Sequence, residues 1–185
     1  MMMRAFRPAL PVVVAMLAGA CAAAPPSVNA GLVPASEHEY LRSRWLMVPV
    51  SGVRASDVPD TYRAPRGANR QHNATDILAP RGTPVIATDD GVVKKLFTSK
   101  PGGLTVYQFD PDQRFCYYYA HLDAYAPGLH EGQLLRRGEI LGYVGTTGNA
   151  PKDAPHLHFA LIRLDRERRW WKGTYVNPYP RLAGR

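Results

Sequence analysis

The stretch Asp153-Ala154-Pro155-His156-Leu157-His158-Phe159-Ala160-Leu161-Ile162 decides how the rest of the chain is arranged. It is apolar, partly aromatic and preceded by a glycine and a proline, a pattern that predicts a β-strand. Side chains two residues apart on a strand share a face, so His156 and His158 point one way and Leu157 the other. Two neighbouring imidazoles suit a metal site or a proton-transfer site. A pair of exposed edge histidines would give the same short pattern, so the rest of the chain must decide.

Length and composition predict one β-rich domain. The chain has 185 residues, of which 45% are apolar and 21% are charged, enough for a single domain with its own core. The 16 glycines and 17 prolines separate short apolar runs, and this favours many turns over a helical bundle.

The charge balance favours an anionic partner. The formal net charge is +8, from 23 Lys and Arg against 15 Asp and Glu. Such a surface suits nucleic acid, a membrane face or an anionic polymer. The chain carries no nucleic-acid-binding motif, and the run Arg163–Arg169 contains charges of both signs, as a solvated face does. Nucleic acid is therefore not an expected partner.

Residues 1–24 have the pattern of a signal peptide, with a positive start followed by a short apolar run. Leu17-Ala18-Gly19-Ala20-Cys21 resembles a bacterial lipobox, in which the cysteine becomes the lipidated N-terminus. This interpretation predicts a membrane anchor at Cys21. Because position 22 is not Asp, the resemblance points to the outer membrane and its periplasmic face. Ordinary cleavage within Ala20–Ala24 is the alternative.

Residues 25–47 are predicted to be a tether and a short helix, and residues 48–180 a single domain. Ser36 and Glu39 have the spacing of a helix capping box, so a helix should follow to about Arg44. Cys116 lies in an aromatic run and is expected to be a buried, inert thiol. The predicted strands are Leu46–Val50, Asp76–Leu78, Thr83–Ala87, Val92–Phe97, Leu104–Phe109, Arg114–Leu122, Ile140–Val144 and His156–Leu164, with a final piece at Trp170–Val176.

Two turn and rim features complete this plan. Asp89-Asp90-Gly91 is a hairpin signal between two of the strands. Residues 51–69 lack periodicity and could form one rim of a groove. Trp170 and Trp171 could line a groove or cover the sheet, and cover is the commoner use.

Three fragments carry candidate chemistry: His72–Asp76, Tyr119–Asp123 and the His156–His158 pair. A catalytic zinc needs three protein ligands and one open position. His72, Asp76 and one histidine of the pair would supply such a set. The other histidine of the pair and His121 could then move protons or stabilise an oxyanion. The strand argument leaves open which member of the pair would hold the metal.

The order of these fragments matches a known pattern. Its elements are His72–Asp76, Ala79-Pro80-Arg81-Gly82-Thr83-Pro84-Val85, Tyr119-Ala120-His121-Leu122, the turns of Gly138–Gly148, and His156-Leu157-His158-Phe159. Over roughly Val48 to Tyr179 the chain resembles the zinc metallopeptidases of the lysostaphin and LytM type, family M23.

The resemblance implies a mostly β, single-domain fold built on an antiparallel sheet, with a groove-lining zinc site, long loops and one short N-terminal helix. It makes His72, Asp76 and His158 the ligands of one Zn²⁺ per chain. It makes His156 the general base or transition-state stabiliser, with His121 beside it. The chain departs from the family at Ala74, where Gly is usual, but this removes no ligand.

The implied function is hydrolysis of peptide bonds in peptidoglycan cross-links in the cell envelope, by a monomer whose substrate is the wall peptide. One alternative is a non-catalytic envelope module that activates a wall amidase or scaffolds wall remodelling. Another is a zinc peptidase acting on proteins. The sequence does not specify which wall bond would be cut.

Overall fold

The computed structural model describes residues 37–67 and 70–182. The expected signal peptide, Cys21 and most of the tether lie outside these residues. Among the described residues, no helix has both the length and the apolar character needed to cross a bilayer.

The described chain forms nine strands with two short α-helices and one 3₁₀ turn. The turn is Ala55–Asp57 and the helices are α1 (Glu37–Ser43) and α2 (Tyr179–Leu182). The strands are β1 (Thr75–Leu78), β2 (Pro84–Ile86), β3 (Gly91–Ser99), β4 (Gly103–Phe109), β5 (Phe115–Tyr125), β6 (Leu134–Leu135), β7 (Ile140–Val144), β8 (His156–Leu164) and β9 (Gly173–Val176).

Every strand pair is antiparallel, and β8 occupies a central place. The main order is β1-β8-β5-β4-β3-β6, while β2 pairs with β7 and β7 joins β5. One edge of β8 pairs with β5. Its other edge pairs first with β1 and then with β9. The backbone polar groups of β8 are thus largely satisfied within the sheet.

The two faces of β8 pack into different clusters. Leu157, Phe159 and Leu161 lie in the main core, each fully buried. Burial of a side chain of this size contributes about 1.5–3 kcal/mol to folding. Ala160 and Ile162 lie in a second, smaller cluster on the opposite face, which His158 shares because of the two-residue alternation. The predicted strand therefore presents both histidines on the face away from the main core.

Helix α1 docks on the main core. Its position and length agree with the short helix predicted from the capping-box spacing. Tyr40 stacks on Phe115 with ring centroids 5.8 Å apart, and its hydroxyl donates to the carboxylate of Asp110. The helix is only seven residues long, so this packing, more than intrinsic propensity, stabilises it.

The thiol of Cys116 is fully buried and free, as predicted. Burial raises its pKa well above the ordinary value, which disfavours the reactive thiolate.

The expected strand Leu46–Val50 was wrong. Only Val50 makes a bridge, to Val85, while the preceding residues make single bonds such as Met47 N–H to the Thr88 carbonyl. Pro49 has no N–H to donate, so a continuous ladder cannot run through this segment.

The hairpin signal at Asp89-Asp90-Gly91 was also wrong, because β2 pairs with β7 whereas β3 pairs with β4 and β6. Asp89 is fully buried instead of lying at a hairpin tip. Its carboxylate accepts hydrogen bonds from Arg44 at 2.8 Å and from the Tyr117 hydroxyl at 2.9 Å. A buried carboxylate needs such partners to compensate its charge, whereas a carboxylate in an exposed turn is hydrated by solvent.

Candidate metal centre

Two paired strands and one loop bring three metal-binding side chains together. Asp76 of β1 is the direct cross-strand partner of His158 of β8, so both side chains lie on the same face. His72 lies four residues before Asp76. Its N–H donates to the Ala64 carbonyl and its carbonyl accepts from the Arg63 N–H, which fixes its backbone beside the strand.

The three donor atoms form a small triangle. His72 Nε2 lies 3.1 Å from His158 Nδ1, and Asp76 Oδ1 lies 3.0 Å from each of these nitrogens. The ring of His72 is oriented by its Nδ1–H, which donates to the Thr61 carbonyl at 2.9 Å. Since a carbonyl can only accept, this bond leaves the lone pair of His72 on Nε2, the atom that faces the triangle. A divalent cation is the group that such an arrangement can bind.

The surroundings of the triangle favour a deprotonated carboxylate at Asp76 and a neutral imidazole at His158. Burial alone would raise the pKa of Asp76, but the nearby ring nitrogens of His158 and His72 outweigh burial and hold the pKa well below its usual range. Burial lowers the pKa of His158 against the opposing effect of Asp76. Deprotonated ligands are what metal binding requires.

Arg66 is a contact that the sequence did not reveal. Its guanidinium pairs with Oδ2 of Asp76, while Oδ1 faces the two imidazoles. Arg66 belongs to the segment expected to form a groove rim, and it does line the groove. No motif identifies it, because the contact depends on how the loop folds back over β1.

His156 and His121 lie beside the triangle with one ring nitrogen each fixed. His156 Nδ1 donates to the Ala154 carbonyl at 2.8 Å, and its Nε2 lies 3.9 Å from Asp76 Oδ1. His121 Nδ1 donates to the Thr147 carbonyl at 2.9 Å, and its ring centroid is 5.0 Å from that of His156. In the neutral form, each histidine therefore keeps a free Nε2 that can accept a proton.

Burial, with the nearby His158 and His156, lowers the pKa of His121 to about 4. The ring is therefore neutral at ordinary pH, with its proton on Nδ1. A neutral His121 accepts at Nε2 and can donate to an oxyanion there only after it has gained a proton. The role of His121 in stabilising an oxyanion therefore requires that the ring first gains a proton at Nε2.

The backbone at His121 is in the left-handed region, with φ of 62°, which is uncommon for a residue other than glycine. Its N–H donates to the Gly102 carbonyl at 2.8 Å. Gly103 packs so closely on the loop after β7 that a Cβ there would overlap the Oγ1 and carbonyl carbon of Thr147 and would lie 2.5 Å from the nitrogen of Gly148. The glycine-rich turns thus set the position of the carbonyl that holds the His121 ring.

All five candidate residues line one open groove of about 820 Å³. Trp170 and Trp171 line it as well. Of the two expected uses, covering the sheet applies to Trp170 and exposure at the groove applies to Trp171. Trp170 is partly buried against the smaller cluster, while the side chain of Trp171 is 65% exposed.

Comparison with known proteins gives a consistent result. Residues 70–178 match the profile of Peptidase family M23. The L-Ala–D-Glu endopeptidase of Bacillus subtilis is 36% identical over 121 residues, which are 63% of this chain and 36% of that protein. The chain thus spans about a third of that relative's length.

Two solved structures show the same fold. The catalytic domain of lysostaphin from Staphylococcus simulans aligns with 26% identity and a TM-score of 0.54, covering 77% of this chain and 94% of that one. A zinc-containing peptidase from Vibrio cholerae aligns with 26% identity and a TM-score of 0.56, covering 74% of this chain and 40% of that one. The predicted mostly β, antiparallel single-domain fold is thereby confirmed.

The profile match spans more than half of the 185 residues and contains all five candidate residues. The chain belongs to peptidase family M23.

Proposed function

We propose that the protein is a zinc-dependent endopeptidase that hydrolyses peptide bonds in the cross-links of peptidoglycan in the cell envelope. The observation that carries this proposal is the triangle of His72, Asp76 and His158 donor atoms on the floor of an open groove. The membership of family M23 and the endopeptidase relative support the reaction class.

The residues of the triangle fit zinc. Two nitrogens and one carboxylate oxygen are a common catalytic ligand set that leaves a fourth position open. Tetrahedral ligands about 2.0–2.1 Å from zinc lie about 3.3 Å from one another. The observed separations of 3.0–3.1 Å are close to this value. Zinc bound there would polarise the scissile carbonyl and make water a better nucleophile at neutral pH.

The protein's own groups handle the proton. His156 Nε2 faces the triangle with a free lone pair, so we assign it as the base that takes a proton from the attacking water. The same imidazole, once protonated, can deliver that proton to the departing amine. His121 offers a second free Nε2 on the neighbouring strand, and we assign it to orient the water or, when protonated, to stabilise the oxyanion.

The groove is consistent with an extended peptide substrate. Strand β8 lines it with His156, His158 and Ile162, and residues 66–67 and 149–151 line it as well. A non-catalytic envelope module would need none of the five polar groups, so their joint geometry favours catalysis over that alternative.

The location follows from the first residues of the sequence. We propose that residues 1–24 are a signal peptide ending near Cys21, and that Cys21 carries a lipid anchor in the outer membrane. In this proposal residues 25–47, a tether and the short helix α1, connect the anchor to a monomeric domain of residues 48–180 at the periplasmic face. Labelling with a clickable fatty acid tests the anchor, since Cys21→Ser should lose the label and move the protein out of the membrane fraction.

The function is tested with isolated sacculi or purified cross-linked muropeptides, followed by mass spectrometry of the products. The zinc-loaded protein should release monomers with a new amine and a new carboxyl end, and a chelator should stop this release. His158→Ala should be inactive, whereas His130→Ala, in an exposed loop outside the groove, should be unaffected. Failure of the zinc-loaded protein to cut any wall peptide would refute the proposal, and cleavage of casein in preference to muropeptides would favour a protein-directed peptidase.

A further inference from the structure

An aromatic patch adjoins the candidate catalytic groove. It consists of Phe97, Tyr107, Trp170 and Trp171, which we call the aromatic shelf. Trp170 is the centre of the shelf, with its ring centroid 4.8 Å from Tyr107 and 5.3 Å from both Phe97 and Trp171. Trp170 and Tyr107 pack on the smaller cluster with Ala160 and Ile162, so the shelf lies on the same sheet face as His158.

Two side chains of the shelf, Trp171 and Phe97, are more exposed than covering the sheet would require. Trp171 is 65% exposed and Phe97 is 40% exposed, whereas Trp170 already covers the smaller cluster beneath. Among the described residues, the aromatic contact of Trp171 is with Trp170 alone, at 77° between the ring planes. Large exposed aromatic side chains next to a binding groove indicate contact with a ligand.

The groove joins the shelf to the candidate metal centre without a break. Tyr107, Trp170 and Trp171 line the same groove as the catalytic histidines. The tilted rings of Tyr107 and Tyr118 have centroids 4.7 Å apart, and Tyr118 makes an edge contact with His158 at 6.1 Å between centroids. A substrate bound at the metal centre can therefore extend onto the shelf.

We propose that the shelf binds a pyranose ring of the amino-sugar chain from which the substrate peptide hangs. This inference rests on the proposed function. A β-linked pyranose carries its hydroxyls around its edge and presents flat C–H faces, which pack on aromatic rings. The peptides of the wall carry mainly small or anionic side chains, so the sugar is the part of that substrate whose broad apolar faces match a tryptophan. Lys172 and Tyr175 line the same groove and offer hydrogen-bond donors to the edge of the sugar.

The distance between the shelf and the candidate metal centre also indicates which peptide bond of the substrate would be cut. Tyr107 is paired through Tyr118 to Ala160, so it lies two strands across and two residues along from His158. At about 4.8 Å per strand and 3.3 Å per residue, the Cα atoms of Tyr107 and His158 are about 12 Å apart. An extended peptide reaches about 3.3–3.6 Å per residue, so three or four residues span the gap. The favoured scissile bond therefore lies three or four residues from the sugar, not next to it.

The saccharide site can be tested without any cleavage. The probe is the β-1,4-linked tetramer of N-acetylglucosamine, titrated into the full chain while tryptophan fluorescence is recorded. Saturable binding is expected, and it should persist after treatment with a chelator because the shelf does not contact the metal ligands. Trp171→Ala should weaken binding about tenfold or more, and Trp171→Phe should restore part of it.

Trp45→Ala is the matched control, since Trp45 is also 65% exposed but lies outside this groove. It should bind the tetramer as the parent protein does. No saturable binding, equal losses in the two alanine variants, or quenching by phospholipid vesicles in place of the sugar would overturn the proposal.

A second measurement tests the spacing. Cross-linked muropeptides with and without their sugars are compared as substrates, and the sugar-bearing form should have the lower KM. Trp171→Ala should remove this difference. If the tetramer binds but no muropeptide is cut, the proposed function fails and the saccharide site stands. If muropeptides are cut with no preference for the sugar, or next to it, the spacing proposal fails alone.

Discussion

Replacement of Gly103 by alanine should lower both the stability of the fold and the rate of the proposed cleavage. Gly103 has φ of +64°, and the left-handed region costs an alanine about 1–2 kcal/mol. The new Cβ would also overlap Thr147 and approach the backbone of Gly148, so the loop must move, at about 1–3 kcal/mol for overpacking. The expected destabilisation is therefore about 2–5 kcal/mol.

Gly128→Ala separates the two contributions. Gly128 has φ of +78°, but no atom lies within 4 Å of its added Cβ, so only the backbone cost of about 1–2 kcal/mol applies. Urea unfolding of both variants gives the difference as the cost of the overlap.

The catalytic effect comes from the Thr147 carbonyl, which holds the ring of His121. Its displacement should lower the rate of muropeptide cleavage about 10- to 100-fold in Gly103→Ala, under conditions where the variant is folded. Gly128→Ala should retain the full rate. Equal destabilisation of the two variants, or full activity of folded Gly103→Ala, would refute the claim that this glycine positions His121.

Three further changes probe the ligand set, the core and the response to alkali. Asp76→Asn should lose bound zinc after dialysis, measured by atomic emission, while the exposed Asp57→Asn should retain it; equal zinc contents would contradict the ligand assignment. Tyr119→Phe should destabilise the fold by about 1–3 kcal/mol in urea, because it leaves the buried oxygen of Gln108 without its donor; an unchanged midpoint would show that this bond contributes nothing. Burial raises the pKa of Tyr107 to about 12, so the unfolded chain loses this proton first and stability should fall as pH rises from 10 to 12. Tyr107→Phe should show a shallower fall in urea midpoint over that range, and an identical slope would count against the shift.

The fold and the candidate centre were predictable where local pattern and tertiary role agree. The alternation in His156–Ile162 predicted a strand with two faces, and the structure places its odd-numbered residues in the core and its histidines opposite. The spacing of His72 and Asp76 within one motif predicted their proximity, and their donor atoms lie 3.0 Å apart, while the pairing of β1 with β8 adds His158. The assignment of ligand and base roles within the pair remains a prediction.

Features that depend on distant contacts were not predictable. The turn signal at Asp89 predicted a hairpin that the structure does not have. The sequence does not show that Arg44 and Tyr117 form hydrogen bonds with this carboxylate in the core. The pairing of Arg66 with Asp76 arises from the path of a loop without a motif. The ring orientation of His121 depends on a carbonyl 26 residues away, and only the assembled turns determine it.

The pairing of β8 with strands on both of its edges has a consequence for how the protein should lose the proposed activity. If β8 slipped by a single residue, both imidazoles would turn inward and Leu157 and Phe159 would face solvent. The register of β8 therefore determines both the packing of the core and the direction in which the two histidine side chains point. Molecules that have this strand in place should be fully competent and the others wholly inert, so loss of activity on heating should coincide with loss of structure.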